Sequence, residues 1–128
     1  MGQTPLAAQV SVFRGSTNTT PVETLPLTEV LQRIQDGTYQ QYTEHLRYLL
    51  ATEGKARYDD AKKRSMAFTP AGVFARRANG ELTTPSGLLN FDFDHPSNLT
   101  DAKAQLMADP WIVYAFISPS GDGLKVAV

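Results

Sequence analysis

The spacing of apolar residues changes at Ser65, and this change constrains the possible folds more than any other feature. Between residues 27 and 50, apolar side chains recur every three or four positions, which is the spacing of one face of a helix. After Ser65, short runs rich in β-branched and aromatic residues are separated by Gly and Pro, which is typical of strands and turns. We therefore predict an α+β fold, in which helices cover a mixed or antiparallel sheet.

The individual elements follow from the same pattern. We predict helices at residues 27–34, 42–50, 55–65 and 98–110, and strands at residues 8–14, 66–70, 72–77, 87–93, 111–117 and 124–128. Residues 15–26, rich in Thr, Ser and Pro, are expected to form a loop. The helix at 55–65 carries few apolar residues and is expected on the surface. The strand at 87–93 is apolar enough to be expected in the centre of a sheet.

The length and composition indicate one domain spanning residues 1–128. The chain has 128 residues, of which 41% are hydrophobic, enough for a single core and too few for two. Cysteine is absent, which excludes disulfides and thiolate metal sites. No signal peptide or apolar stretch of membrane-spanning length is found, so we expect a cytoplasmic protein without a membrane partner. Because the sequence ends on a strand, we also expect it to be the N-terminal part of a longer protein.

Two acids one residue apart, Asp92 and Asp94, interrupt the apolar strand at 87–93. Residues i and i+2 of a strand project to the same side, so the two carboxylates lie together. Such a pair can bind Mg²⁺ or Mn²⁺ through oxygen ligands and assist phosphoryl transfer. The alternative is structural, with Asp94 capping the following helix and Asp92 at an exposed strand end. His95 is either a partner of this pair or simply the residue before Pro96.

The segment "SPSGDGLKVAV" suggests a second contact for phosphate. Small residues of this turn have free backbone amides that can form a concave anion site; they are Ser118, Ser120, Gly121 and Gly123. Lys125, on the strand after the turn, can neutralise a phosphate or a developing negative charge. The order of residues differs from that of a P-loop, and the turn leads into a strand. An ordinary hairpin turn is the alternative interpretation.

A basic segment precedes these motifs. The formal net charge is −1, yet residues 55–77 contain seven basic and two acidic residues. The run Lys62, Lys63 and Arg64, with Arg57, Arg76 and Arg77, can follow a nucleic-acid backbone. A solvated helix face is the alternative.

Taken in order, these stretches resemble a known family. "YDDAKKRSMAFTPAGVF", "GLLNFDFDHP" and "DPWIVYAFISPSGDGLKVAV" resemble the VirE-like N-terminal domain of bacterial mobile-element and phage proteins, which looks related to the archaeo-eukaryotic primase-polymerase superfamily. The resemblance implies an RRM-like sheet with helices packed on it, preceded by an N-terminal helical segment. It also implies a third acidic ligand on a strand after Val128.

The resemblance also implies roles for individual residues. Asp92 and Asp94 match the catalytic, metal-binding pair, and Lys125 stands where active primases carry His. The turn residues Ser118, Ser120, Gly121 and Gly123 match the nucleotide-binding segment.

Two functional hypotheses follow. In the first, the chain is a primase-polymerase-like domain of a mobile-element or phage replication protein, which binds nucleoside triphosphate with Mg²⁺ or Mn²⁺ while Lys62, Lys63 and Arg64 guide nucleic acid. A helicase-type ATPase, downstream or separate, is the expected partner. In the second, the chain is a catalytically inactive module with a primase fold that binds DNA or a partner helicase.

Overall fold

The computed structural model describes residues 5–128, in which a short 3₁₀ turn, Pro5–Ala7, precedes eight strands and four helices. The strands are β1 (Gln9–Arg14), β2 (Glu23–Pro26), β3 (Met66–Thr69), β4 (Gly72–Phe74), β5 (Leu82–Pro85), β6 (Asn90–Asp94), β7 (Tyr114–Ile117) and β8 (Gly123–Ala127). The helices are α1 (Leu27–Gln35), α2 (Gln40–Thr52), α3 (Lys55–Lys62) and α4 (Leu99–Ala108). No helix in this described part is long and apolar enough to cross a membrane.

The first sheet is antiparallel and has β1 at its centre, in the order β2-β1-β3. Four consecutive residues of β1, 10–13, are buried, so both faces of the strand are covered. On one face Val10 and Val12 pack against Val30 of α1. Ser11 is also buried, and its hydroxyl accepts a hydrogen bond from the Phe74 amide at 2.9 Å. This bond joins β1 to the two-stranded ribbon β4-β5.

Helices α2 and α3 form a hairpin with its own apolar cluster, in which Leu46 and Leu49 contact Tyr58 and Ala61. Gly54, which joins the two helices, has a φ of +91°, a conformation that favours glycine. The expectation that the third helix lies on the surface is therefore only partly correct. Its basic side chains are exposed, but Tyr58 and Ala61 are buried because they face α2.

The third sheet has the order β6-β8-β7, with antiparallel pairing throughout. Helix α4 connects β6 to β7, and β8 returns between these two strands, which makes a split β-α-β unit. The prediction that the strand containing the two acids is central was wrong. β6 lies at the edge, and all five of its residues are exposed. An apolar composition does not show whether a strand has a neighbour on one side or on both.

The α+β class and the antiparallel pairing are confirmed, with two differences from the expected arrangement. The strands form three small sheets instead of one. The helical segment also does not precede the sheets, because β1 and β2 come first in the chain and β1 pairs with β3 across all three intervening helices. Helices α1 to α3 are thus an insertion within the first sheet.

Candidate functional site

The register of β6 against β8 places Asp92 opposite Lys125 and Asp94 opposite Gly123. Asp92 Oδ2 lies 3.1 Å from Lys125 Nζ, so the two side chains form an ion pair. Both are partly exposed to solvent, which limits such a pair to at most about 1 kcal/mol of stabilisation. Asp92 and Asp94 project from the same side of β6, as the spacing predicts.

Asp94 approaches the turn at residues 118–122 because position 123 has no side chain. A Cβ on Gly123 would lie 3.2 Å from Ser118 Oγ and 3.5 Å from Asp94 Oδ1. It would also lie 3.0 Å from the carbonyl oxygen of Phe93. Glycine at this position therefore lets the acid at the end of β6 and the first serine of the turn lie side by side.

A chain of hydroxyl contacts runs along the turn. Ser118 Oγ and Ser120 Oγ are 2.9 Å apart, and the Ser120 hydroxyl donates to Asp122 Oδ1 at 2.7 Å. The Ser120 hydroxyl is the main reason that the pKa of Asp122 is held below its ordinary value, and the nearby His95 lowers it further. Gly121 closes the turn with a φ of +88°, and its amide donates to the Ser118 carbonyl.

His95 connects the end of β6 to the same turn. Its Nδ1 lies 2.7 Å from Asp122 Oδ2, and its backbone amide donates to the Asp122 carbonyl at 3.1 Å. The residue has a φ of +54°, which is uncommon outside glycine. The serine contacts the aspartate and not the histidine, so this is not the hydrogen-bond order of a Ser-His-Asp triad.

Arg47 of α2 supports the turn from the other side, and the sequence gives no sign of it. Its Nε donates to the Pro119 carbonyl and its Nη2 to the Ser118 carbonyl, each at 3.2 Å. A Cβ on Gly121 would lie 3.2 Å from Arg47 Nε, so the turn fits closely against the guanidinium group. The contact joins segments 71 residues apart, beyond the range of any local motif.

The three residues of the basic run at 62–64 contact three different groups. Tyr58 of α3 lies near Ser120; burial raises the pKa of this tyrosine, and the serine hydroxyl partly offsets the effect. Lys62 Nζ is 5.7 Å from the centroid of the Tyr58 ring, so this lysine lies over the tyrosine that approaches Ser120. The other two residues contact different groups: the Lys63 carbonyl accepts from the Ser16 amide, and Arg64 pairs with Asp60.

Arg77 contacts Ser16, the residue whose amide donates to the Lys63 carbonyl. Its Nη1 donates to the Ser16 carbonyl at 3.3 Å, and its guanidinium lies 5.5 Å from the centroid of the Phe13 ring. Ser16 thus lies between Lys63 and Arg77. The corner where β1 ends is therefore basic, although these residues are distant in sequence.

The two carboxylates of Asp92 and Asp94 could hold Mg²⁺ if a bound phosphate and water supplied the remaining oxygen ligands. Mg²⁺ is commonly held by one or two carboxylates together with phosphates and water, and Asp92 and Asp94 supply two carboxylates on one side of a strand. Among residues 5–128 no group of three or more His, Cys, Asp or Glu is arranged to share an ion.

The cap of α4 is Asn98, whose side chain accepts a hydrogen bond from the Asp101 amide. The alternative prediction that Asp94 caps this helix was therefore wrong.

The acid pair lies on an open surface. Cavities of about 360 Å³ occur beside α4 and against α2 and α3, and neither is lined by Asp92 or Asp94. Beside Asp92, the Tyr114 hydroxyl donates to Asn90 Oδ1 at 3.2 Å. Burial and the charge of Asp92 raise the pKa of Tyr114 to about 12.

One comparison with known proteins gives a match. Residues 60–128, more than half of the chain, match the model of a family described as BT4734-like, N-terminal domain. The matched part contains the acid pair, the turn and the basic run, but not Arg47 or Tyr58. No curated protein and no solved structure matches the chain significantly.

Proposed function

The chain belongs to the BT4734-like, N-terminal domain family, and we propose that it is a primase-polymerase-like domain of a mobile-element or phage replication protein. It would bind nucleotide and nucleic acid with a divalent metal held by Asp92 and Asp94. The observation that supports this proposal is the meeting of the acid pair with Lys125 and the serine turn at the open end of β6 and β8.

The charges at this end of the sheet suit a metal-bound triphosphate. Carboxylates attract the cation, while hydroxyl, amide and ammonium groups donate to phosphate oxygens. Mg²⁺ or Mn²⁺, when bound, would neutralise phosphate charge and polarise the reacting phosphoryl group. Asp92 would then hold the metal in place of its contact with Lys125, and Lys125 would be free to donate to phosphate. The Ser118 and Ser120 hydroxyls, which in the free protein contact each other and Asp122, would turn to donate to phosphate, while Arg47 would hold the backbone of the turn.

The basic residues extend the same surface toward nucleic acid. Lys62 lies over the Tyr58 ring, while Lys63 and Arg77 flank Ser16 near the end of β1. We expect these side chains to contact the sugar-phosphate backbone without sequence preference, because ammonium and guanidinium groups recognise phosphate charge alone. Arg64, already paired with Asp60, contributes less.

A second candidate function is favoured by the ion pair itself. Lys125 Nζ, 3.1 Å from Asp92, places a cation at one of the two carboxylates. A chain that never binds metal would keep this pair as a structural contact between β6 and β8. The domain would then be an inactive primase-fold module that binds DNA or a helicase-type ATPase through its basic corner.

Calorimetric titration with a nucleoside triphosphate in the presence of Mn²⁺ tests the first proposal. We expect binding by the wild type and a loss of at least tenfold in affinity for Asp92→Asn/Asp94→Asn, because two metal ligands lose their charge. Glu44→Gln, which removes an exposed acid of α2, is the matched control and is expected to bind as the wild type does. Equal binding by the double variant and the wild type would contradict the metal site.

A second titration separates the two candidates. Lys125→Met removes the ammonium group but keeps a side chain of similar length. If the metal site is real, this variant binds Mn²⁺ more tightly and triphosphate more weakly, since Asp92 is freed while a phosphate donor is lost. If the module is inactive, DNA binding persists in EDTA and is unchanged by Asp92→Asn/Asp94→Asn. In both cases the affinity for single-stranded DNA falls with salt, with a slope of roughly 0.7 per phosphate contact.

A further inference from the structure

The outer edge of β6 carries unpaired backbone groups. Leu89 and Val128 exchange both backbone hydrogen bonds at 2.9 Å, and His95 donates to Asp122 beyond the other end of β6. In an antiparallel pair every second residue bonds to the partner strand. Between Leu89 and His95, the backbone amide and carbonyl groups therefore point alternately away from β8 and toward it. Within residues 5–128, β6 pairs with β8 alone. The amide and carbonyl groups that point away from β8 are therefore those of Asn90, Asp92 and Asp94.

An apolar stripe lies along the same edge. Leu89, Phe91 and Phe93 share the face of the sheet toward α4, and they are 63%, 45% and 46% exposed. Helix α4 packs over β7 and β8 and leaves β6 largely uncovered. Three large apolar side chains next to an open strand edge form a surface typical of binding by strand addition.

The other face of β6 carries Asp92 and Asp94, and these two acids limit the kind of strand that can bind at the edge. An antiparallel second copy of β6 would place the carboxylates of the two strands against each other, and like charges across a strand pair are destabilising. Residues 90–125 contain five aspartates and two lysines, one of which already pairs with Asp92. The charge therefore opposes a second copy of this chain and favours a basic strand.

We propose that the edge of β6 binds an extended peptide segment of a partner protein in which apolar and basic residues alternate. The peptide would add a fourth strand to the third sheet and bond to the outward groups of β6. Its apolar residues would pack on Phe91 and Phe93, and its basic residues would lie beside Asp92 and Asp94. This docking surface shares Asp92 and Asp94 with the proposed nucleotide site but goes beyond it, since it also uses the outward backbone groups and the apolar face of β6.

The test uses an eight-residue, fluorescein-labelled peptide of alternating Val and Lys, with binding followed by anisotropy in EDTA and without nucleotide. Two comparison peptides are needed. One alternates Val and Glu, and the other is the Val/Lys peptide with a central Pro that interrupts the backbone bonds. We expect the Val/Lys peptide to bind on the order of tenfold more tightly than either. These conditions make the result independent of whether the metal site exists.

Variants of the protein locate the contact. Phe93→Ser should weaken binding of the Val/Lys peptide about fivefold or more, because the apolar stripe loses one of its two aromatic rings. Met107→Ser, on α4 and 56% exposed, is the matched control and should leave binding unchanged. Hydrogen exchange gives a second measurement that does not depend on a variant. The peptide should slow exchange at the amides of Asn90, Asp92 and Asp94, while those of Phe91 and Phe93 are already protected in the free protein.

Three results would overturn the proposal. Equal affinity for the Val/Lys and Val/Glu peptides would mean that charge does not select the partner. Unchanged amide exchange at the outward positions would mean that the peptide binds elsewhere. Dimerisation of the free protein through β6, seen by sedimentation and abolished by Phe93→Ser, would identify a second copy as the occupant.

Discussion

Replacing Gly123 by Ala tests the close approach of β6 to the turn. The added Cβ would lie 3.0 Å from the Phe93 carbonyl oxygen and 3.2 Å from Ser118 Oγ. Gly123 is not among the glycines with positive φ, so alanine can adopt its backbone conformation without strain. The effect of the substitution therefore comes from contacts alone, and two strands must separate or Ser118 must move.

The magnitude follows from two opposing effects. Adding a methyl group to a closely packed region costs about 1–3 kcal/mol. The same change restricts the unfolded chain, which stabilises the protein by about 0.4–1 kcal/mol. We therefore expect the free energy of unfolding to fall by about 1–2 kcal/mol, with a Tm lower by roughly 4–7 °C for a domain of this size.

Urea denaturation of four proteins provides the assay: wild type, Gly123→Ala, Ser118→Ala and the double variant. Ser118→Ala removes the oxygen nearest to the new Cβ on the side of the turn, so the double variant should be less destabilised than the sum of the two single variants. A Gly123→Ala protein as stable as the wild type would refute the account of a close approach. Additive effects would show that Ser118 is not the group displaced.

Three further predictions concern the turn and strand β7. Arg47→Ala should lower the free energy of unfolding by about 1 kcal/mol in urea denaturation, because two hydrogen bonds to backbone carbonyls are lost; Arg57→Ala, whose ion pair with Glu53 is 3.9 Å long, should change stability much less. The lowered pKa of Asp122 means that its contacts stabilise the fold above the unfolded pKa of about 4 and are lost as the pH falls through the folded value. Acid unfolding of Asp122→Asn should therefore begin from a less stable protein but show a weaker pH dependence, and an unchanged slope would contradict this. The raised pKa of Tyr114, about 12, predicts stability that is present below pH of about 10 and lost toward pH 12, and Tyr114→Phe should remove the last-titrating tyrosine from the absorbance at 295 nm.

The elements that local spacing predicts are those with a strong period of their own. Helices α1 to α4 and strands β1, β3, β4, β6, β7 and β8 lie where the pattern places them, within a few residues. The strands β2 and β5 were missed. Their sequences, "ETLP" and "LTTP", are short and largely exposed, and each is a strand because a neighbouring strand supplies hydrogen bonds. Such strands leave little apolar alternation to detect.

The candidate site was also predictable in part. The sequence pointed to Asp92, Asp94, the serine turn and Lys125, and the fold brings these groups together at one end of β6 and β8. Their metal and nucleotide roles remain predictions. The ion pair between Asp92 and Lys125 depends on the register of the two strands, which a motif does not encode. The contacts of Arg47 and Tyr58 come from helices more than 60 residues earlier in the chain.

The features that the sequence determines differ from those that only the tertiary structure decides, because the two sets depend on different ranges along the chain. Local periodicity accounts for the α+β class, most helix and strand positions and the pairing of two acids on one side of a strand, because these depend on residues within a few positions of one another. Only the tertiary structure decided that β6 is an edge strand, that Asn98 and not Asp94 caps α4, and that His95 and Arg47 hold the turn from two sides. These features depend on which distant segments pack together, so the open edge of β6 could be recognised only in the folded structure.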